Sequence, residues 1–242
     1  RPTLCLFSCE ALTNDWYRAL PAAAALEFIH NFSLIHDDIQ DGDLERRHQP
    51  TVWALWGQPQ ALVAGNVMRS LADVATLKTT ERGVDEEKAL RASFLLTSAY
   101  LEMTQGQCLD LAFESSHEIT IEDYIGMISC KTGALIRCGM ELGSLIGSGD
   151  DKLTWSFRVC GHFLGLAFQI RDDVLGIWGD EATTGKAVGN DIRRKKKSFP
   201  IVYAFQTAGD VARRRMVRAY SQEQLGDSDV DDVLGVLDDV HA

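Results

Sequence analysis

An all-α chain is what this sequence predicts, and three observations carry the prediction. Four of the five prolines (Pro2, Pro21, Pro50, Pro59) fall in the first quarter and the fifth is Pro200, so residues 60–199 are free of the strongest helix breaker. Apolar residues recur at helical steps, while strict alternation is scarce. Punctuation at Gly57–Pro59, Thr79–Asp85, Ser115–Glu118, Gly147–Asp151 and Gly179–Gly189 divides the chain into long helices joined by short loops.

Each element has its own signal. The apolar run Ala22–Ile35 reads as a helix that ends near an acidic cluster. Leu90, Phe94 and Leu101, at spacings of four and seven, mark a second helix, and Ile121, Tyr124, Ile125 and Ile128 mark a third. Phe163–Ile170 is the core of another, far short of the roughly 18–20 apolar residues that a membrane span needs, so no transmembrane segment is expected. Val230, Val233, Leu234, Leu237 and Val240 form an apolar stripe with Asp229, Asp232 and Asp239 off it, the pattern of a surface helix. No repeat and no low-complexity linker breaks the chain, which is long enough for one large core.

Composition narrows the function. The formal net charge is −11, from Lys+Arg 24 against Asp+Glu 35. Binding to a nucleic-acid backbone needs the opposite balance, so no nucleic-acid partner is expected. Six cysteines (Cys5, Cys9, Cys108, Cys130, Cys138, Cys160) lie mostly beside apolar residues without zinc-site spacing, and read as buried, reduced thiols of a cytoplasmic protein.

Two acidic motifs carry the chemistry. Residues 37–41 read Asp-Asp-Ile-Gln-Asp, and Asp37 and Asp41, one turn apart, project from one helix face. Such a pair suits a hard cation that keeps its waters and is completed by substrate phosphates, a plausible diphosphate-Mg²⁺ clamp. The alternative is a solvated acidic helix end. The second motif has a built-in control, because Asp-Asp-Val-Leu-Gly occurs at 172–176 and again at 231–235. The later copy belongs to the surface helix. The earlier one follows Phe168-Gln169 in an apolar helix, where carboxylates need a partner. Arg46 and Arg47 follow the first motif, and the basic run Arg193–Lys197 follows the second, where a diphosphate would want them.

Taken in order, these residues resemble the trans-prenyl diphosphate synthases, or polyprenyl synthetases, of the all-α isoprenoid synthase fold, most like bacterial geranylgeranyl diphosphate synthases. The resemblance runs from Arg1-Pro2 to about Tyr203. It rests on DDIQDGDLERR, Lys131-Thr132, FQxxDD (Phe168 to Asp173), TGK (Lys186) and D-x-x-x-x-K (Asp191 to Lys196). It implies one domain over residues 1–242, a bundle of long antiparallel helices around a central cavity, without the helices that precede Arg1-Pro2 in the family. It also implies a homodimer, with Leu90 to Leu101 as a candidate interface face. Two departures stand out: the family's G-G-K-x-x-R-P survives only as Arg1-Pro2, and the third aspartate of the second motif is Gly176.

Carried over residue by residue, the resemblance implies that Asp37, Asp41 and Asp172 ligate Mg²⁺, supported by Asp38 and Asp173. Arg46, Lys131, Gln169, Lys186 and Lys196 would meet the diphosphate of the allylic substrate or its metals, and Arg1, His30 and Arg47 would hold isopentenyl diphosphate. The implied reaction is ionisation of the allylic diphosphate followed by condensation, with Lys131 paired to Thr132 and the Gln169 carbonyl steadying the cation. Gln107 and Asp110 also match a family segment but stay outside the predicted site. Phe32, five residues before Asp37, with small Ser33 beside it, is expected to set product length, which favours geranylgeranyl over farnesyl diphosphate; ordinary core packing is its alternative role. Two rival functions remain at this point, a terpene cyclase and a non-catalytic synthase subunit.

Overall fold

The computed structural model describes residues 1–114, 116, 118–179 and 189–242. The helices are α1 (Pro2–Thr13), α2 (Leu20–Gln40), α3 (Val52–Trp56), α4 (Gln58–Leu77), α5 (Glu86–Glu114), α6 (Ile121–Ile128), α7 (Ala134–Gly147) and α8 (Asp151–Trp178). Four shorter ones follow: α9 (Asn190–Arg193), α10 (Phe199–Thr207), α11 (Asp210–Tyr220) and α12 (Asp227–Asp239). A two-residue hairpin pairs Glu45–Arg46 with Gln49–Pro50. This is the all-α architecture expected from the sequence.

Local chemistry sets the helix limits. Pro21 and Pro59 sit in the first turns of α2 and α4, where a missing N–H costs nothing. Thr120 and Asp123 form a capping box at the start of α6. α2 runs five residues past the expected end at Ile35, so most of the first acidic motif is helical, and Asp41 caps it through a backbone bond to the Asp37 carbonyl at 2.8 Å.

The residues cluster into two compact units. The first comprises Arg1–Met103 and Gly133–Leu164. Its core includes Leu26, Ile29, Leu96, Leu135, Leu142 and Leu145, all buried. Every residue of α7 from Ala134 to Ile146 is buried, and α1 lies against it on glycines: a Cβ at Gly143 would overlap the Cys5 carbonyl, and one at Gly139 would sit 3.1 Å from the Arg1 carbonyl. Two charged residues of α7 are also buried and find ionic partners, Arg137 with Glu102 and Glu141 with Arg158.

The second unit comprises Thr104–Thr132 and Gly165–Ala242. One cluster packs Ile177, Ile192, Ile201, Met216, Val233 and Val236, and another packs Tyr124, Met127, Ile128 and Val202. The stripe Val230, Val233 and Leu237 is buried as predicted for a surface helix.

The cysteine expectation needs correction. Cys5, Cys9 and Cys138 are buried, but Cys108 and Cys160 are exposed, because each lies on the outward side of its long helix. Among the described residues no helix is long and apolar enough to cross a membrane.

Candidate functional site

The predicted residues gather in two clusters, one in each unit. In the first, the inner aspartate Asp38 is buried and accepts from Arg46 Nε at 2.6 Å. Burial raises its pKa, and Arg46 opposes the rise. Asp37 is half-buried and Asp41 exposed, so the outer carboxylates lie nearer the surface than Asp38. The loop beyond is tied down at the Asp43 carbonyl, which accepts from the Thr51 hydroxyl and from Trp53 Nε1, both at 2.8 Å.

Arg47 stands on the tip of the hairpin. It and His48 have φ of 54° and 61°, the left-handed conformation that a two-residue hairpin turn demands and that Asn-Gly usually supplies. Two side-chain-bearing residues there cost on the order of 1–2 kcal/mol each. The strain falls at a predicted binding residue, where strain is commonly retained for function.

On the same unit, Arg1 Nη1 donates to His30 Nε2 at 3.3 Å. Burial, then the positive charge of Arg1 with that of Arg47 and Arg46, lowers the His30 pKa. His30 is therefore neutral at pH 7, its Nε2 an acceptor that orients the guanidinium. Phe32 is buried, with its ring edge-on to His36 at 4.7 Å and to Tyr100 at 5.5 Å, so it is packed on both sides. The Ser33 hydroxyl donates back to the His30 carbonyl at 2.8 Å.

The second cluster surrounds a cavity of about 160 Å³ lined by Asp110, Tyr124, Lys131, Gln169, Asp172 and Lys196, among others. Its hub is Asp173, 1% exposed. Four donors converge on this carboxylate: Tyr124 Oη at 2.5 Å, Gln169 Nε2 at 2.9 Å, Phe199 N at 2.9 Å and Lys196 Nζ at 3.3 Å. Each satisfies an oxygen that would otherwise be expensive to bury. Burial, then the Asp173 charge, holds the Tyr124 phenol protonated far above its usual range. Asp172, next along α8, is exposed.

Lys131 and Thr132 sit on a π-helical turn, Ser129–Gly133, inserted between α6 and α7. Such turns recur at functional sites because they re-aim side chains. α5 accommodates the turn through Gly106, where a Cβ would overlap the Lys131 backbone. Lys131 does not pair with Thr132 as expected: its Nζ bonds Asp110, and the Thr132 hydroxyl donates to Gln169 Oε1 at 2.5 Å. Neighbouring residues on a helix point apart, so adjacency in sequence gave no contact. Gln169 is thereby fixed at both ends, its amide NH₂ on Asp173 and its carbonyl on Thr132.

Sequence reasoning undervalued three residues. Asp110 lies outside the site expected from the motifs, Tyr124 shows in the sequence only as part of an apolar stripe, and Gly106 carries no motif at all. A tyrosine in a helical stripe signals that its hydroxyl needs a buried partner, which was the available clue. Lys186 lies outside the described residues.

The profile of the polyprenyl synthetase family matches residues 1–237, and the chain belongs to that family. It is 41% identical over 214 residues to a (2E,6E)-farnesyl diphosphate synthase of Mycobacterium bovis, covering 88% of this chain and 58% of that protein. It is 40% identical over 212 residues to a geranylgeranyl diphosphate synthase of Mycobacterium tuberculosis, covering 88% of this chain and 59% of that protein. The chain thus spans about three-fifths of the length of these curated relatives. The crystal structure of a geranylgeranyl pyrophosphate synthetase from Pyrococcus horikoshii superposes with a TM-score of 0.92 at 37% identity, covering 99% of this chain and 72% of that one.

Proposed function

We propose that this chain acts as a Mg²⁺-dependent trans-prenyltransferase, condensing isopentenyl diphosphate with an allylic diphosphate to a short-chain all-trans product, geranylgeranyl diphosphate. Relatives bearing the names farnesyl and geranylgeranyl diphosphate synthase support the class. The observation that carries the reading is the basic group of Arg1, neutral His30 and Arg47. A second diphosphate substrate needs it, and a terpene cyclase does not. The intact carboxylates Asp37, Asp41 and Asp172 argue against a non-catalytic subunit.

The donor sets fit Mg²⁺. Asp37 and Asp41 in one cluster and Asp172 in the other offer hard carboxylate oxygens, and Asp38 and Asp173, held by Arg46 and Gln169, brace them. When bound, the metal neutralises charge on the leaving diphosphate. Arg46, Lys131, Lys186 and Lys196 add cationic donors to that diphosphate, favouring its departure. The Gln169 carbonyl, its direction fixed by Thr132 and Asp173, supplies a dipole to the allylic cation. Arg1, oriented by His30, and Arg47 hold isopentenyl diphosphate so that its double bond attacks, and the released diphosphate takes the proton. Phe32, clasped by His36 and Tyr100, limits product length.

Leu90 at 70% and Phe94 at 71% exposure, with Leu101 on the same helix, support a homodimer through α5. A reducing cytoplasm suits six cysteines that form no disulfide with one another. We further read residues 1–242 as one functional domain.

The test supplies labelled isopentenyl diphosphate, Mg²⁺ and each allylic primer in turn, with chromatography of the dephosphorylated products. A twenty-carbon alcohol is expected. A fifteen-carbon product removes Phe32 as the floor, and no elongation with any primer moves the reading to the cyclase or the subunit.

A further inference from the structure

Gly176 stands where the family's second motif has its third aspartate, and the structure gives that glycine a reason. A Cβ at position 176 would overlap the carboxylate of Asp191. Asp191 is only 6% exposed, and just ahead of it the Gly189 N–H donates to the Ile177 carbonyl of α8 at 3.0 Å. The Asp191 carbonyl accepts from the Lys196 backbone N–H at 2.9 Å, and Lys195, with φ of 54°, makes the left-handed reversal that permits it. The same turn returns the Lys196 side chain to the carboxylate, Nζ lying 3.4 Å from Asp191 Oδ2 and 3.3 Å from Asp173 Oδ1.

We infer that Asp191 is a positioning residue for Lys196, working in the space that Gly176 leaves. An ammonium carries three N–H donors. Asp173 and Asp191 take two of them and so fix the direction of the third, which faces the cavity from a side chain 39% exposed. One carboxylate alone would leave the ammonium free to swing on its four-carbon stem. The space beside position 176 is thus filled by a carboxylate that arrives fifteen residues later and acts on a lysine. This inference rests on the proposed reaction for the identity of the anion that Lys196 meets.

Two readouts test it in the full chain. In the first, Lys196 is acylated with an N-hydroxysuccinimide ester and quantified by peptide mass spectrometry, which needs no activity. Asp191→Asn is expected to raise labelling severalfold. In the second, steady-state kinetics should show the KM for the allylic diphosphate rising about tenfold, as displacement of a charge-assisted hydrogen bond implies, with the KM for isopentenyl diphosphate within about twofold. Gly176→Ala should act in the same direction by displacing the Asp191 carboxylate, and Asp191→Asn should add nothing once Lys196→Ala is present. Unchanged labelling in Asp191→Asn overturns the inference, whatever the kinetics. So does an equal rise in both Michaelis constants, the signature of general destabilisation. If the parent protein elongates no primer, the proposed reaction falls, while the labelling still decides whether Asp191 holds Lys196.

Discussion

The same five residues, Asp-Asp-Val-Leu-Gly, occur at 172–176 and at 231–235 and meet opposite fates. In the earlier copy the second aspartate is the buried residue: Asp173 turns inward to four donors, while Asp172 and Val174 face out. In the later copy the third residue is buried: Val233 enters the core, and Asp232 lies on the surface against Arg215, Nε to Oδ1 at 2.9 Å. A shift of one residue rotates a helix by about 100°, which changes which chemistry enters the protein. The pentapeptide does not choose its face. The apolar stripe around it and the partners available decide, and Tyr124, Lys196 and the Phe199 backbone are available only to the first copy.

The largest break in that comparison is expected from truncating the two second aspartates in parallel. Asp173→Ala strands buried donors and a lysine, and should cost about 3–5 kcal/mol in denaturant unfolding together with the proposed prenyl transfer. Asp232→Ala removes an exposed pair and should cost less than about 1 kcal/mol, with activity retained. Equal losses at the two positions would mean that burial does not separate the copies.

Two adjacent lysines sharpen it next. Lys196 sits between carboxylates that outweigh its burial and hold its pKa above the ordinary value. Lys197 instead lies over the rings of Tyr220 at 4.6 Å and Phe205 at 5.3 Å, and burial, with Lys195 adding to it, lowers its pKa to about 8. A cation whose folded pKa is depressed weakens the fold while protonated in both states, so the cost is full below pH 8 and fades between pH 8 and the ordinary 10.5. Lys197→Met should therefore raise the melting temperature at pH 7 by several degrees, since each kcal/mol shifts it about 2–4 °C, and the gain should shrink in scans toward pH 10.

The smallest effect lies at the fifth residue of each copy. Gly235→Ala places a Cβ in ordinary contact, 3.8 Å from Arg215 Nη2, and should stabilise by about 0.5–1 kcal/mol in thermal scans. Gly176→Ala, which meets a carboxylate, should not share the gain. A stabilised Gly176→Ala would show that Asp191 yields freely.

Much of this was legible in the sequence because it was periodic or contiguous. The helix around Asp37, the stripe through Val230 and Leu237, and the break at Gly57-Gln58-Pro59 are local patterns, and the fold followed them. The motifs pointed to Asp37, Asp38, Gln169 and Asp173 for the same reason. The Tyr124 bond to Asp173 spans 49 positions, and the Lys131 pair with Asp110 spans 21. No period records such a contact. Cys108 and Cys160 were misread because an apolar neighbour in sequence is not a neighbour on the same helix face.

The glycines of α7 reach further than the packing they serve. A helix laid backbone to backbone on its neighbour has no side chain to compress, so any added atom must be accommodated by sliding. Arg1, the residue that His30 orients, caps the start of α1. Gly139 and Gly143 therefore act as a gauge for that guanidinium's position, and drift at either would move it against His30 long before it was felt as unfolding.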